Sequence, residues 1–283
     1  MTLVVVRKTN RGIFSFSDTK LTLQEDSRLS NPYLESSLKS HILIPDISFH
    51  YAGNSALAQE ALDEINIDFS ERQSASLGRI VSILFSNVGK GENEYPNNGV
   101  SYIISSLSEN KILVIDERGI SECEKEAAIG DVSENGAYKF YCDKFSEILD
   151  FLTKNQEPEY SYLNECSAMS KAFHRVIENR NFTTVDGFAV QLMPEKGCFF
   201  YTPSINLHSG PIDTPMTPGV SVSPDFTRVD NGSFTFNTLQ SEPCAPNAVF
   251  GVHFVTGDLA VIWEAGRKIS PNLVKNYSSY FSQ

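Results

Sequence analysis

The sequence predicts an α+β protein in which two β-sheets face each other and a pair of helices covers each outer side. A further, mostly β segment follows at the C-terminal end. Three observations lead there. Short apolar runs and helical stripes succeed one another in the order strands, two helices, strands, two helices, strands. Each helical stripe is apolar on one side only, the pattern of a helix laid on a sheet. From about residue 204 the composition changes, with Pro203, Pro211, Pro215, Pro218, Pro224, Pro243 and Pro246. The boundary is therefore placed between 1–203 and 204–283.

The elements follow in order. Leu3-Val4-Val5-Val6 and Ile13-Phe14-Ser15-Phe16-Ser17 read as strands joined at the turn-like Thr9-Asn10-Arg11-Gly12. Residues 23–38 are polar, carry Asn31-Pro32 and read as a loop. Ile42-Leu43-Ile44 and the stretch from Asp46 to Gly53 are strand-like, and Asn54 or Ser55 caps the helix that follows by accepting from its free N–H groups. Leu77, Ile80, Val81, Leu84, Phe85 and Val88 predict an amphipathic helix over 71–88, and the three glycines and Pro96 of 89–99 break the chain. A strand pair turns at Ser108-Glu109-Asn110, and Ala127-Ala128-Ile129-Gly130-Asp131 is a short strand closed by glycine. One helix carries Ala137, Phe140, Tyr141, Ile148, Leu149 and Leu152; the next carries Leu163, Cys166, Met169, Phe173, Val176 and Ile177. Hairpins are expected around Pro194-Glu195-Lys196-Gly197 and Thr256-Gly257-Asp258.

Composition narrows the function classes. Lys+Arg 23 against Asp+Glu 35 gives a net charge of -12, which argues against nucleic-acid binding. No run approaches the ~18 apolar residues of a membrane span. The first apolar run precedes Arg7-Lys8, the reverse of a signal peptide. Five scattered cysteines, never CxxC, fit free buried thiols in a reducing cytoplasm. His41, His50, His174, His208 and His253 lack any ligand spacing, so core or surface histidines are expected and no metal or cofactor. The chain contains no GxSxG, P-loop or GxGxxG.

Thr2 follows Met1 directly. Removal of Met1 places a hydroxyl and a free α-amine on one residue, and that amine, with an ordinary pKa of roughly 7.7–8.0, is a usable base near neutrality. A threonine hydroxyl needs such a base to become a nucleophile.

These opening residues, with Ser17-Asp18-Thr19-Lys20 closing the second strand, Lys39 before the third, Ala52-Gly53 leading into the first helix and Ala128-Ile129-Gly130-Asp131, resemble the proteasome β-subunit family of N-terminal nucleophile (Ntn) hydrolases. The resemblance covers roughly residues 2–202. It implies a four-layer αββα sandwich, a threonine peptidase working through an acyl-enzyme ester, and self-assembly into rings or stacked arcs. It also implies roles. Thr2 supplies nucleophile and base, Lys39 is the positive neighbour, Asp18 holds Lys39, and the Gly53 N–H forms the oxyanion hole. Asp131 stands at the family's serine position and Tyr51 where a residue lines the pocket for the substrate side chain. Lys20 is the alternative lysine or a supporting ion pair near the substrate.

Departures from the family accompany the match. The link from Asp18 to Lys39 is longer than usual, so 23–37 reads as an insertion. The later acidic-and-serine motif is represented only by Thr184 and Asp186 in Asn181-Phe182-Thr183-Thr184-Val185-Asp186-Gly187. Three functions stay open at this stage: a peptidase acting on peptides or proteins with an unknown unfoldase, an inactive scaffold or interaction subunit, and a hydrolase of small amides.

Overall fold

The computed structural model describes residues 2–19, 37–72, 76–94, 99–155, 161–179, 181–182, 184–185, 189–201, 234–238, 249–254 and 259–275. The loop expected over 23–38 lies outside them except at Ser37 and Leu38, as does the turn at 256–258.

One five-stranded sheet is built from β1 (Leu3–Thr9), β2 (Gly12–Ser17), β8 (Glu126–Gly130), β9 (Val190–Glu195) and β10 (Cys198–Tyr201), in the order β10-β9-β2-β1-β8. A second runs β3-β4-β5-β6-β7, from β3 (Ser40–Ile44), β4 (Ile47–Gly53), β5 (Val100–Ser106), β6 (Lys111–Asp116) and β7 (Gly119–Glu122). The strand pairs in both are antiparallel. The helices among the described residues are α1 (Ser55–Arg72), α2 (Leu77–Glu94), α3 (Ala137–Lys154) and α4 (Ser161–Glu178).

Side-chain alternation along the strands sorts the apolar residues into three cores. Val4, Val6, Ile13, Ile42, Ala52, Ile103, Ala127 and Ile129 meet between the two sheets. Leu3, Val5, Phe14 and Phe16 point the other way, onto Tyr141, Phe145, Met169 and Phe173 of α3 and α4. Phe49, Tyr51, Tyr102 and Ile104 pack under Leu57, Leu62, Ile80 and Leu84 of α1 and α2. Each fully buried large apolar side chain contributes roughly 1.5–3 kcal/mol; of the stripe expected on α2, Leu77, Ile80, Val81, Leu84 and Val88 are buried, while Phe85 is exposed.

Several boundaries differ from expectation. The helix predicted over 71–88 is α2 beginning at Leu77, while 71 and 72 close α1. The break predicted over 89–99 starts late, because α2 continues through Gly89 and Gly91 to Glu94. An interior glycine costs a helix only about 1 kcal/mol, which the packing of Ile80, Leu84 and Val88 offsets. Asn54, rather than Ser55, is the cap of α1: its Oδ1 accepts from the N–H groups of Ala56 and Leu57 at 2.9 and 3.3 Å. β9 carries on through Pro194 and Glu195, leaving Lys196-Gly197 as the turn. Strand β7 was not foreseen. Cys123, Cys142, Cys166 and Cys198 are free but only partly buried.

Four further strands, β11 (Phe234–Thr238), β12 (Val249–Phe254), β13 (Leu259–Glu264) and β14 (Asn272–Lys275), make a sheet of their own in sequence order. From the end of β13 to the start of β14 the chain packs on the first 203 residues. Trp263 and Ala265 are buried in the core between the five-stranded sheets, and Ile269 in the core under α1 and α2.

Candidate active site

The register of β1 and β2 builds the site. Val4 lies opposite Ser17, so one step further along the ladder Leu3 faces Asp18. The Asp18 N–H donates to the Leu3 carbonyl at 3.3 Å, and the Leu3 N–H donates to Asp18 Oδ1 at 3.0 Å. The Thr2 hydroxyl donates to that same oxygen. Lys39 arrives from the facing sheet, immediately before β3, and its Nζ donates to Asp18 Oδ2 at 2.9 Å. Thr2, Asp18 and Lys39 are 3, 0 and 2% exposed. In that dry setting a carboxylate holding a hydroxyl, an N–H and an ammonium is a fixed electrostatic anchor.

Strand β8 closes on Thr2 from the other side. The Asp131 N–H donates to the Thr2 carbonyl at 2.7 Å. Gly130 precedes it at φ +100°, where a Cβ would lie 1.9 Å from that carbonyl oxygen, so only glycine allows the approach. The Asp131 carboxylate accepts from Thr184 Oγ1 at 2.8 Å and Ser133 Oγ at 3.2 Å. Asp131 therefore contacts Thr2 through its backbone, while its side chain faces Ser133 and Thr184.

Tyr51 and Gly53 enter along β4. The Tyr51 N–H donates to the Lys39 carbonyl at 3.2 Å. The Tyr51 ring is buried in the core under α1 and α2, beside Phe49. Burial pushes its phenol well above the ordinary value; the Ser37 hydroxyl beside it pulls the other way and the Asp18 charge adds to the rise. Gly53 ends β4 exposed, at φ +103°, and a Cβ there would meet the Gly99 carbonyl oxygen at 2.2 Å. Thr2, Asp18 and Lys39 are thus in direct contact, with Asp131 against the Thr2 backbone. Lys20 and Asp186 lie outside the described residues.

Sequence reasoning missed the support around this group. Ser133 and Gly136 shape the Asp131 carboxylate, since a Cβ at Gly136 would lie 2.2 Å from its Oδ1. A buried chain of hydroxyls and an imidazole runs behind the ion pair. Ser40 Oγ donates to Ser17 Oγ at 2.8 Å, and His50 joins Ser40 to Ser48 at 2.9 Å on each ring nitrogen. Ser48 continues to Ser105. Burial lowers His50 to about 3, helped by nearby His41, so the imidazole is neutral. Among the described residues no group of three or more His, Cys, Asp or Glu is placed to hold a metal ion.

No known family profile and no curated protein matches the chain by sequence. Solved structures do match. A Gly-1 mutant of Anbu from Hyphomicrobium sp. strain MC1 superposes with a TM-score of 0.50 at 16% identity, over 71% of this chain and 85% of that one. The chain has the proteasome-like Ntn-hydrolase fold. Eukaryotic HslV from Trypanosoma brucei aligns with a TM-score of 0.44 and 16% identity, over 67% of this chain and 98% of that one. In the Ntn-hydrolase fold of this chain, the Thr2–Asp18–Lys39 group sits where β1 starts, β2 ends and β3 starts.

Proposed function

We propose that the chain is a proteasome-like threonine amidohydrolase, a peptidase whose nucleophile is Thr2 after removal of Met1. One observation carries this reading: a single buried carboxylate, Asp18, bridges the Thr2 hydroxyl and the Lys39 ammonium from residues 16 and 21 positions away. As Thr2 Oγ adds to the amide carbonyl, its proton passes to the Thr2 α-amine. The Lys39 charge disfavours protonation of that amine beforehand and stabilises negative charge growing on Oγ. The Gly53 N–H donates to the oxyanion. Collapse breaks the C–N bond, the leaving amine takes the proton, and an ester on Oγ remains. Water then adds to the ester with the α-amine again as base, and Oγ leaves as the free hydroxyl.

The same proposal takes the three stacked cores as a four-layer αββα sandwich over residues 1–203, with 204–283 as an appended segment, in a cytoplasmic protein. Self-assembly through the outer helical faces accompanies it, supported by the exposed Ile67, Phe85 and Phe151 on α1, α2 and α3.

One observation favours a scaffold without activity. Asp131 stands at the family's serine position, and its carboxylate is occupied by Ser133 and Thr184.

Intact mass before and after a peptide epoxyketone, which bonds both the hydroxyl and the free amine of an N-terminal threonine, separates the two. Loss of Met1 with one adduct, abolished by Thr2→Ala, is expected for the enzyme. Full retention of Met1 with no adduct favours the scaffold.

A further inference from the structure

The turn over 264–269 is held by the first 203 residues at five of its backbone groups. Asn66 Nδ2 donates to the Gly266 carbonyl at 3.0 Å, and Gln59 Nε2 to the Arg267 carbonyl at 3.1 Å. Gln59 Oε1 accepts from the Ile269 N–H at 2.8 Å. The remaining two contacts lead to the lysine of the candidate site. The Ile269 carbonyl accepts from the Leu38 N–H at 2.9 Å. The Gly266 N–H donates to His41 Nδ1 at 2.9 Å, and His41 Nε2 lies 2.9 Å from the Leu38 carbonyl.

This pattern fixes the state of His41. Nδ1 accepts, so Nε2 carries the proton and donates to Leu38. The imidazole is fully buried beside Phe49, and burial lowers it to about 4 against the opposing effect of the Leu38 carbonyl. Both backbone groups of Leu38 thus depend on the C-terminal turn, one directly and one through His41. Leu38 is the residue before Lys39, and the stretch 37–39 precedes β3 without sheet pairing of its own. Its other ties include Ser37 N–H to the Thr19 carbonyl at 2.7 Å, Tyr51 N–H to the Lys39 carbonyl and the Lys39–Asp18 ion pair.

We propose that the turn over 264–269 is a positioning element for Lys39, with His41 as the bolt that locks the C-terminal segment onto the backbone carrying that lysine. The consequence for catalysis rests on the hydrolase reading above; the mechanical coupling does not. Buried Leu38 N–H and C=O groups released by the turn would have to find new partners. The backbone would shift, and a displacement of about 1 Å at a reacting group costs on the order of 10²-fold in rate.

The test uses the full chain with Thr2 exposed, comparing wild type with His41→Phe and Gln59→Ala. His41→Phe keeps the ring contact with Phe49 but removes both bonds. Gln59→Ala, on the partly exposed face of α1, loosens the same turn without opening a core. The rate of epoxyketone modification is followed against pH. His41→Phe is expected to lower it by about 10- to 100-fold and to move its acid limb to higher pH. A receding Lys39 leaves the Thr2 amine under the influence of the carboxylates Asp18 and Asp131. Gln59→Ala should move both quantities in the same direction by less. Unchanged rate and limb in both variants overturn the inference. Amide hydrogen exchange reads the coupling without any chemistry at Thr2. Leu38 and Tyr51 should exchange at least about tenfold faster in the variants while α4 is unchanged, and equal exchange overturns the coupling. A wild type that takes no adduct counts against the hydrolase reading, with the exchange result still deciding the coupling.

Discussion

The Thr2 carbonyl oxygen lies 1.9 Å from the point where a Cβ on Gly130 would stand. Strand β8 can bring the Asp131 N–H onto that carbonyl only because residue 130 has no side chain. At φ +100° an alanine is strained even before the clash. Gly130→Ala should therefore destabilise the fold by at least about 2 kcal/mol and displace Thr2. The checks are a urea melt and the epoxyketone adduct, with wild-type stability and labelling counting against this packing.

Asp18→Ala removes the carboxylate that Lys39, Thr2 and the Leu3 N–H share. Leaving a charge buried without its counter-ion costs about 3–5 kcal/mol. Adding Lys39→Met should restore most of the stability and none of the reactivity. A double-mutant cycle in urea measures the coupling; additive losses would mean the ion pair contributes little.

His41 and His50 are buried neutral, lowered to about 4 and about 3. The unfolded chain binds protons at both below about pH 6.5, where the folded chain does not. Stability is therefore full above that pH and falls as pH drops from about 6.5 towards 4, by up to about 1.4 kcal/mol per unit for each histidine. Denaturant midpoints at pH 7.5 and 5.0 test the sign. His41→Phe should flatten the slope, and a variant as steep as wild type would contradict the assignment.

Trp263 is fully buried in the core between the sheets, although it belongs to the C-terminal segment. Trp263→Ala should cost about 3–5 kcal/mol and lower the melting of the whole chain as one transition. Separate melting of 1–203 at its wild-type temperature would show the segment to be independent.

Legibility in the sequence followed the range of the interactions. The strands and helices of the first 203 residues could be read because burial on one face leaves a period, as in Leu77, Ile80, Leu84 and Val88. The exposed edge strand β7 left none: Ile120, Ser121 and Glu122 face solvent, and only pairing with β6 makes them a strand. Asp18 and Lys39 could be placed because the order of motifs along the chain resembles that of a known family, and the structure puts their side chains 2.9 Å apart. Ser133 and the turn over 264–269 carry no local signature. Their partners, Asp131 for the first and Leu38, His41, Gln59 and Asn66 for the second, are set by the packing of distant elements. Asn54 was legible as one of two caps, and only hydrogen-bond geometry decided between it and Ser55.

The way Thr2 is anchored has a consequence for what else could occupy its place. Its carbonyl is fixed by the Asp131 N–H, and the next residue is paired on both sides, to Gly130 in one neighbour and to Asp18 in the other. None of these backbone bonds involves the threonine side chain, whose hydroxyl makes its own bond to Asp18. The backbone frame thus specifies an address for residue 2: a serine there would present its hydroxyl to Asp18 from the same point, and the exchange would require no rebuilding of the strands.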